Sequence, residues 1–484
     1  MTVVGLDVGT SSVKGIALSG DGAVLAVAES SYPFQTPRPG WTEQDPELWW
    51  SAAGEVLGEL DQRAGAAEGI GLSGQMHGLV ALDPDDNVLR PALLWNDQRT
   101  EVEAAEIERR LGGVAGAVAA TGNRSLTGVT APKLMWMARH EPELHERIAS
   151  ILLPKDYVRL RLCGERATDV TDASGTGWFD VEHRRWSEPV LSALEVPVHW
   201  LPPALESAAV TGATADGIPI AAGAGDQGAG ALGVGAITAS ASARPAPVSV
   251  VLGTSGVVCS PLERYGADPE GRLQASCHAL PEAWFAMGVM LSAGGSLAWW
   301  HNVAGGDSSV AELLAEAERW PPGAEGLLFL PYLTGERSPH ADPGARGAFV
   351  GLSARHDRGA LVRAVLEGVA FGLRGSLDLV RSLGGTPEVG RVSGGGARSR
   401  LWLQICASVL ELPLERVAVD EGAAYGAALL GGVAAGHWPD PAGAVEACVQ
   451  VHSTVDPVPD WVAAYVDVRE RFEALYPAVR PFSD

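Results

Sequence analysis

Short apolar runs alternate with glycine-containing turns over the first thirty residues, which is the pattern of an antiparallel meander. The run VVGLDVG ends at Gly9 and Thr10, VKGIALS follows this turn, and AVLAVAES follows the turn at 20–22. A second β-branched run, from Val248 to Gly256, contains the same Gly-Thr-Ser sequence and leads into another apolar segment. We therefore predict two hairpins of one kind, half a chain apart.

Buried strands and amphipathic helices alternate through the rest of the chain, which is the order of an α/β protein. The runs GIGLS at 69–73 and IPIAAGAG at 218–225 are short, apolar and bounded by polar or glycine residues, so they are predicted strands. A helix is predicted after Asp45, a capping residue followed by proline. Asp97 is expected to cap the next helix, in DQRTEVEAAEIERRL.

A strand, three glycines and a helix follow one another in VGRVSGGGARSRLW, after a long amphipathic helical run. Gly394, Gly395 and Gly396 could be a plain helix entry. Glycines at a strand–helix junction also let the main chain approach a ligand closely, because no Cβ stands in the way. We interpret this segment as the floor of a nucleotide site.

The chain is predicted to fold as two lobes. Its 484 residues exceed the size at which single cores stop growing. The segment TASASARPAPVS at 238–249 is small, polar and proline-bearing, and it lies near the midpoint. We predict an N-terminal lobe at 1–237, a C-terminal lobe at 238–484, and a hinge at 237–249.

Composition narrows the partners and the compartment. A net charge of −24 argues against nucleic acid or an anionic membrane as partner, because either needs a basic face. The uncharged stretch 283–300 is interrupted by glycine and serine, so it is predicted as a strand leading into a helix rather than a membrane span. Five widely spaced cysteines with no CxxC pair indicate free thiols and a reducing cytoplasm. No secretory signal precedes Asp7, which also favours the cytoplasm.

The first turn carries candidate phosphate chemistry. Asp7 ends the first predicted strand, Thr10 and Ser11 form the turn, and Lys14 follows it. The turn offers N–H and hydroxyl donors to phosphate oxygens, and Asp7 is suited to orient Mg²⁺ through water. A hairpin that merely uses turn-forming residues would look the same.

The second turn decides between these interpretations. Gly253, Thr254 and Ser255 repeat the donors of the first turn. Two such turns that face each other across a cleft would hold a polyphosphate from both sides. The pair therefore favours a phosphate-binding function.

Asp226 lies between a predicted strand and a predicted helix, in AGAGDQGAG. One interpretation is an ordinary helix cap. The other is a general base for a substrate hydroxyl, kept ionised at neutral pH by the helix N-terminus. The glycines also match GxGxxG, but no acidic residue follows before Glu263, so dinucleotide binding is disfavoured.

Gln75, Met76 and His77 follow a buried strand. Ligands of α/β sheets bind at the carboxyl ends of strands, so this triplet is placed to line a cleft. A structural role for the histidine is equally compatible with the sequence.

These motifs resemble the FGGY carbohydrate kinases, within the superfamily of actin, sugar kinases and heat-shock ATPases. DVGTSSVK and VVLGTSG resemble the two phosphate motifs, and VSGGGARS resembles the adenosine motif. TAPKLMWM and GAFVGLSARHDRGALVRAVLEG look like the two family signatures. SGQMHG, LLWNDQR, LLPKDYVRLRLCGE, HALP and FLPYLTGERSPH are similar to the members that phosphorylate xylulose rather than glycerol.

The resemblance implies two ribonuclease-H-like α/β lobes around a deep cleft, and ATP-dependent phosphorylation of D-xylulose at its terminal hydroxyl. It implies Asp226 as the general base, with Asp7 and Asp226 at the Mg²⁺. The sugar-binding residues it implies are Gln75, Met76, His77, Trp95, Asn96, Asp226 and Gln227. The ATP-binding residues it implies are Thr10, Ser11, Lys14, Gly253, Thr254, Ser255, Gly394, Gly395 and Gly396.

The chain departs from that pattern at Gln227, where the xylulose-phosphorylating members commonly have asparagine, and in the long connection at 238–249. A kinase for another ketose or a polyol stays open, as does an ATP-gated scaffold of the actin or chaperone type. Many family members form homodimers, although no segment of this sequence locates an interface.

Overall fold

Two seven-stranded sheets organise the molecule in the computed structural model, which describes residues 1–241, 246–419 and 422–483. The first sheet has the order β13-β14-β5-β1-β2-β3, with β15 paired to β5. Its strands are β1 (Val3–Val8), β2 (Ser12–Leu18), β3 (Val24–Ser31), β5 (Gly69–Gly74), β13 (Val210–Ala213), β14 (Pro219–Ala221) and β15 (Ala224–Gly225).

The second sheet has the order β18-β19-β17-β16-β22-β23-β24. Its strands are β16 (Pro247–Leu252), β17 (Gly256–Leu262), β18 (Gln274–Cys277), β19 (Trp284–Met290), β22 (Val389–Ser393), β23 (Leu414–Val417) and β24 (Val451–Val455). The remaining strands form two-stranded pairs: β4 (Glu43–Gln44), β6 (Val80–Leu82), β7 (Ala92–Leu93), β8 (Ser150–Leu152), β9 (Thr168–Asp169), β10 (Phe179–Asp180), β11 (Arg185–Trp186), β12 (Ala204–Leu205), β20 (Leu328–Leu330) and β21 (Ala348–Val350).

Helices pack against both sheets. Those that precede the second sheet in the chain are α1 (Pro46–Ala64), α2 (Glu101–Arg110), α3 (Val114–Thr121), α4 (Thr130–His140), α5 (Pro142–His145), α6 (Pro154–Cys163), α7 (Val170–Ala173), α8 (Glu188–Ala193) and α9 (Asp226–Gly233). The later ones are α10 (Gly294–Ala304), α11 (Val310–Ala317), α12 (Arg358–Ser382), α13 (Arg400–Leu410), α14 (Gly422–Ala434), α15 (Pro441–Cys448), α16 (Pro459–Glu473) and α17 (Leu475–Val479).

Each sheet is built around the same unit. Strands β1 and β2 form an antiparallel hairpin, and β1 pairs on its other side with β5 in parallel. Strands β16 and β17 form the second hairpin, and β16 pairs in parallel with β22. The two predicted hairpins, the opening meander and the duplicated ribonuclease-H-like lobes are therefore confirmed.

Several local predictions are also confirmed. Asp45 caps α1, because its side chain accepts the N–H of Glu47, and Pro46 is the first helical residue. The uncharged stretch 283–300 is β19 followed by α10.

No helix of the described residues is long and apolar enough to cross a membrane.

The predicted cap at Asp97 is wrong. Helix α2 begins at Glu101 with Thr100 in the cap position. Asp97 lies in the preceding loop, where its buried carboxylate accepts the N–H of Thr42 at 2.6 Å and the guanidinium of Arg99 at 2.7 Å. A buried charge is stable only when it is paired, so this carboxylate serves the loop rather than the helix.

Helix α14 belongs to the second half of the sequence but packs on the first sheet. A Cβ at Gly71 of β5 would lie 1.7 Å from the carbonyl oxygen of Ala427, and one at Gly5 of β1 would lie 2.1 Å from that of Ala424. Only glycines on this face of the strands allow the helix to come so close. The predicted linker at 238–249 also belongs to the second half of the sequence. Its residues 242–245 lie outside the described residues. The boundary at 237 and 238 stays a prediction.

Candidate active site

The first hairpin brings Asp7 to the carboxyl edge of the first sheet. In the sheet register Asp7 lies opposite Lys14 on β2 and Ser73 on β5. The Ser73 hydroxyl donates to the Asp7 carboxylate at 3.1 Å. Burial raises the pKa of Asp7, while the Ser73 hydrogen bond and the charge of Lys14 act in the opposite direction.

Asp226 arrives at the same edge from the other side of β5. Strand β15 pairs with β5 at Ser73 and Gly74, and Asp226 is the first residue after it. The cap position of α9 is occupied by Gly225, and no side chain caps this helix. The interpretation of Asp226 as an ordinary cap is therefore wrong, because Gly225 holds the cap position and Asp226 is the first residue of the helix.

The ionisation of Asp226 differs from the expectation for a helix N-terminus. Burial, reinforced by the nearby charge of Asp7, raises the pKa of Asp226 to about 7. Hydrogen bonds from Gln227 oppose this shift. Desolvation outweighs the helix dipole here, so Asp226 is half protonated near neutrality.

A buried hydrogen-bond relay holds the backbone before Asp226. The N–H of Gly225 donates to the Thr171 hydroxyl at 2.7 Å, and this hydroxyl donates to Asp169 at 2.7 Å. The other oxygen of Asp169 lies 2.7 Å from the ammonium of Lys155. These residues are fully buried. No sequence pattern predicts this relay, since no spacing rule connects three separate segments.

Gln75 supports the first turn rather than the candidate sugar cavity. Its side-chain N–H donates to the Gly9 carbonyl at 3.2 Å, and its oxygen accepts the Thr10 hydroxyl at 3.2 Å. The indole N–H of Trp95 donates to the same Thr10 hydroxyl at 2.9 Å. The turn is therefore fixed from two sides, while Ser11 at its tip is exposed.

His77 is held in a defined tautomer. Its Nδ1 lies 2.7 Å from the Gly175 carbonyl, so Nδ1 carries the proton and Nε2 keeps its lone pair. Burial lowers the pKa of His77 to about 3, so the ring is neutral. The backbone at His77 has a φ of 69°, and its carbonyl accepts the ammonium of Lys133 at 2.6 Å and the hydroxyl of Thr130 at 3.1 Å.

His77 and Trp95 line a cavity of about 80 Å³ between the two lobes. Met76 lies between this cavity and Asp226, because a Cβ at Gly175 would be 3.0 Å from its Cε and one at Gly225 would be 2.8 Å from its Cγ. Asn96 does not line the cavity, and its buried side-chain oxygen has no hydrogen-bond partner among the described residues. The polar cavity residues that the sequence analysis did not assign are Asn123, Arg124, Thr127, Ser174, Arg272, Gln274 and Arg337.

The second hairpin borders a larger cavity of about 700 Å³. Gly253, Thr254, Gly395 and Gly396 line it, whereas Ser255 and Gly394 do not. The cavity residues that the sequence analysis missed are Leu252, Gly294, Gly295, Leu297, Ala298, Val310, Ala311, Leu314, Arg398, Ser399 and Trp402. This size is that of a ligand site, and apolar walls beside backbone donors suit a nucleoside with phosphates.

The backbone requires glycine at only some of the three consecutive glycine positions. Gly394 has a φ of +88°, and a Cβ there would lie 2.8 Å from the carbonyl oxygen of Leu252. A Cβ at Gly395 would meet no atom within 4 Å. We predict that Gly394→Ala lowers the free energy of unfolding by about 1–3 kcal/mol through backbone strain. Gly395→Ala is the matched control and should leave it unchanged in chemical denaturation. Equal stabilities of the two variants would contradict this assignment.

The fold and this site define a class of protein. Two duplicated lobes, a Gly-Thr hairpin in each, and paired acids at one sheet edge are the features of a two-domain, actin- and hexokinase-like sugar kinase. Family models agree over both lobes: the N-terminal domain of the FGGY family of carbohydrate kinases matches residues 2–233, and the C-terminal domain matches residues 248–435. The chain belongs to the FGGY family of carbohydrate kinases.

Individual relatives resemble the whole chain. It is 40% identical to the xylulose kinase of Escherichia coli (strain K12), over 99% of both chains. The crystal structure of a xyloylose kinase from Brucella ovis superposes with a TM-score of 0.93 at 39% identity, over 100% of both chains. The xylulose kinase structure from Rhodospirillum rubrum has a TM-score of 0.92 at 33% identity, also over 100% of both chains.

Proposed function

We propose that this enzyme transfers the γ-phosphoryl group of ATP to the terminal hydroxyl of D-xylulose, which forms D-xylulose 5-phosphate in pentose catabolism. The relatives described above are named xylulose kinases, and their similarity to this chain extends over nearly its full length. The observation that carries the proposal is the partly buried Asp226 carboxylate at the same sheet edge as Asp7, with its pKa raised by burial and by the charge of Asp7.

In this mechanism Asp226 is the general base. Its carboxylate accepts the proton of the C5 hydroxyl as the oxygen forms a bond to the γ-phosphorus, and the bond to the β,γ-bridging oxygen breaks with its electron pair leaving on ADP. A pKa near 7 suits a base that must be ionised yet retain proton affinity at neutral pH. Phosphoryl transfer depends mainly on alignment and charge stabilisation, so the hairpins supply most of the rest.

The same two acids fit a Mg²⁺ site. Asp7 and Asp226 are partly buried, and burial raises the pKa of each, so their negative charges are under-compensated. Mg²⁺ retains several waters and needs only one or two carboxylates, so these two acids would suffice. The ion would neutralise phosphate charge, and Asp7 and Asp226 would hold it.

The remaining contacts follow from the two cavities. Met76, His77 and Trp95 bind the sugar, with the lone pair on His77 Nε2 accepting a sugar hydroxyl. Thr10, Ser11, Lys14 and the Gly253–Ser255 turn bind the phosphates, and the 394–396 segment lies under the adenosine. Five free thiols support a reducing cytoplasmic location. A homodimer is kept as a prediction.

We predict that kcat/KM rises with pH up to about 7 and then levels off, because protonated Asp226 cannot accept the substrate proton. His77 is neutral throughout this range, so it does not contribute. Burial raises the pKa of Glu336 to about 8, and Glu336→Gln is therefore the control that should retain the acidic limb. A profile that stays flat from neutral to acidic pH would contradict the assignment of the base.

A panel of sugars in an ADP-release assay tests the substrate. D-xylulose should have the highest kcat/KM, with ribulose and alditols well below it. If another ketose or an alditol has a higher kcat/KM than D-xylulose, that sugar becomes the proposed substrate. The assignment to the carbohydrate kinase family would not change.

A further inference from the structure

Arg337 places a guanidinium against the cavity at His77, with the neighbouring Glu336 as the one acidic group whose charge acts on it among the described residues. It lines this cavity from the second lobe, and its charge is close enough to contribute to the lowered pKa of His77. Within the described residues its guanidinium has no hydrogen-bond, ion-pair or ring partner. Its backbone N–H donates to Glu336, but burial raises the pKa of that carboxyl, so Glu336 is largely uncharged at neutral pH.

The other two arginines of the cavity are paired. Arg124 lies 3.2 Å from Glu108, and Arg272 lies 2.8 Å from Asp268. A mostly buried guanidinium without a partner costs free energy, and a ligand oxygen that accepts hydrogen bonds removes this cost. Arg337 is therefore the cavity arginine that is available to a ligand.

The backbone around Arg337 is fixed. The adjacent Ser338 exchanges hydrogen bonds with Val289 of β19, through its N–H at 2.9 Å and its hydroxyl at 3.1 Å. The same hydroxyl donates to the Arg272 carbonyl at 2.5 Å. The guanidinium is thus carried by an ordered part of the second sheet, which limits the entropy lost on binding.

The two polar groups select complementary ligand atoms. His77 Nε2 can only accept a hydrogen bond, so it requires a hydroxyl. Arg337 can only donate, so it requires an acceptor oxygen, and a carbonyl oxygen meets this requirement without bringing a proton that needs an acceptor of its own. An open-chain 2-ketose has both: hydroxyls along the chain and one carbonyl oxygen, on C2, that only accepts.

We infer that Arg337 is a sugar-binding residue that donates to the C2 carbonyl oxygen and makes the site select 2-ketoses over the corresponding alditols. This inference rests on the proposed function, which sets the terminal hydroxyl at Asp226 and so directs the other end of the sugar towards Arg337. The sugar then contacts His77 from the first lobe and Arg337 from the second.

The test compares D-xylulose with xylitol and D-arabinitol, the two alditols that reduction at C2 produces. Arg337→Met should lower kcat/KM for xylulose by about 10- to 100-fold, the loss of a hydrogen bond to a charged group, mainly through KM. The alditols should lose much less, so the preference for the ketose should collapse. Arg337→Lys keeps a charge and should give an intermediate preference. Arg124→Met, a paired arginine of the same cavity, should leave the ketose-to-alditol ratio unchanged.

Equal losses on ketose and alditols would overturn the inference while leaving the proposed function intact. A wild-type enzyme that fails to phosphorylate xylulose would instead overturn the proposed function. A lower wild-type KM for the matching aldonate than for xylulose would assign the guanidinium to a carboxylate and also overturn the inference. If Arg337→Met fails to fold, as judged by its melting curve, the ratio in Arg337→Lys decides.

Discussion

Asp226→Asn is expected to lower kcat for xylulose phosphorylation by about 10²–10⁴-fold, the usual contribution of a general base. The amide has nearly the same shape as the carboxylate but cannot accept the proton of the C5 hydroxyl. The measurement is steady-state ADP release at saturating ATP and sugar, above the pKa of about 7. Turnover within a few-fold of the wild type would contradict the assignment of the base.

Two controls separate this effect from misfolding. Binding of ATP, measured by calorimetry without sugar, should be retained, because the nucleotide cavity is lined by second-lobe residues.

The variant should also be more stable than the wild type. Because folding raises the pKa of Asp226 from 3.8 to about 7, the wild type loses stability as pH rises between these values. The difference in free energy of unfolding between Asp226→Asn and the wild type should therefore increase from about pH 4 and level off above about pH 7.

Lys155→Met is expected to have the largest effect on stability. The ammonium of Lys155 lies 2.7 Å from Asp156, 2.7 Å from Asp169 and 3.1 Å from Asp172, and all four side chains are fully buried. Arg159 contacts Asp156 at 2.6 Å and is the other cation of this cluster. Removal of one partner of a buried ion pair leaves uncompensated charge, which costs about 3–5 kcal/mol.

Urea unfolding measures the Lys155→Met effect. Arg109→Met is the control, because Arg109 is 71% exposed in its pair with Glu106 and should change stability by about 0.5 kcal/mol or less. The folded fraction of Lys155→Met should also show a lower kcat, since Lys155 anchors the relay through Asp169 and Thr171 to Gly225. A variant as stable as the Arg109 control would contradict the description of this cluster as an ionic support.

The sequence predicts the parts of the fold that local patterns determine. Both Gly-Thr hairpins, the cap at Asp45 and the strand before Asp226 depend on β-branched runs, turn residues and capping residues that act over a few positions. The position of Asp226 at a sheet edge follows from its place between strand and helix. Its raised pKa does not, because burial and the neighbouring Asp7 come from separate segments.

Contacts between segments that are distant in the sequence could not be predicted from local patterns. Gln75 follows the predicted strand, as expected. Its hydrogen bonds to Gly9 and Thr10 depend on a turn that lies far from it in the sequence, so no local pattern predicts them. The approach of α14 to the first sheet did leave a signal. Gly69 and Gly71 alternate on one face of β5, and both would clash with α14 if they carried a Cβ. Such spacing on a buried strand is typical of a face that another element approaches closely.

Arg337 shows the same limit for the site. It belongs to FLPYLTGERSPH, a segment that resembles xylulose-phosphorylating kinases. That its guanidinium forms no ion pair within the described part of the chain is visible only in the tertiary structure. Sequence spacing predicts ion pairs within a helix, but it does not show whether a charged side chain in a loop is paired with a distant segment.

A crystal structure of the enzyme with D-xylulose and a non-hydrolysable ATP analogue tests the catalytic proposal most directly. We expect the C5 hydroxyl oxygen at hydrogen-bond distance, about 2.6–3.2 Å, from an Asp226 carboxylate oxygen, in line with the γ-phosphorus held between the two hairpins. A sugar bound with its C5 hydroxyl directed away from Asp226, or with another side chain in that position, would contradict it.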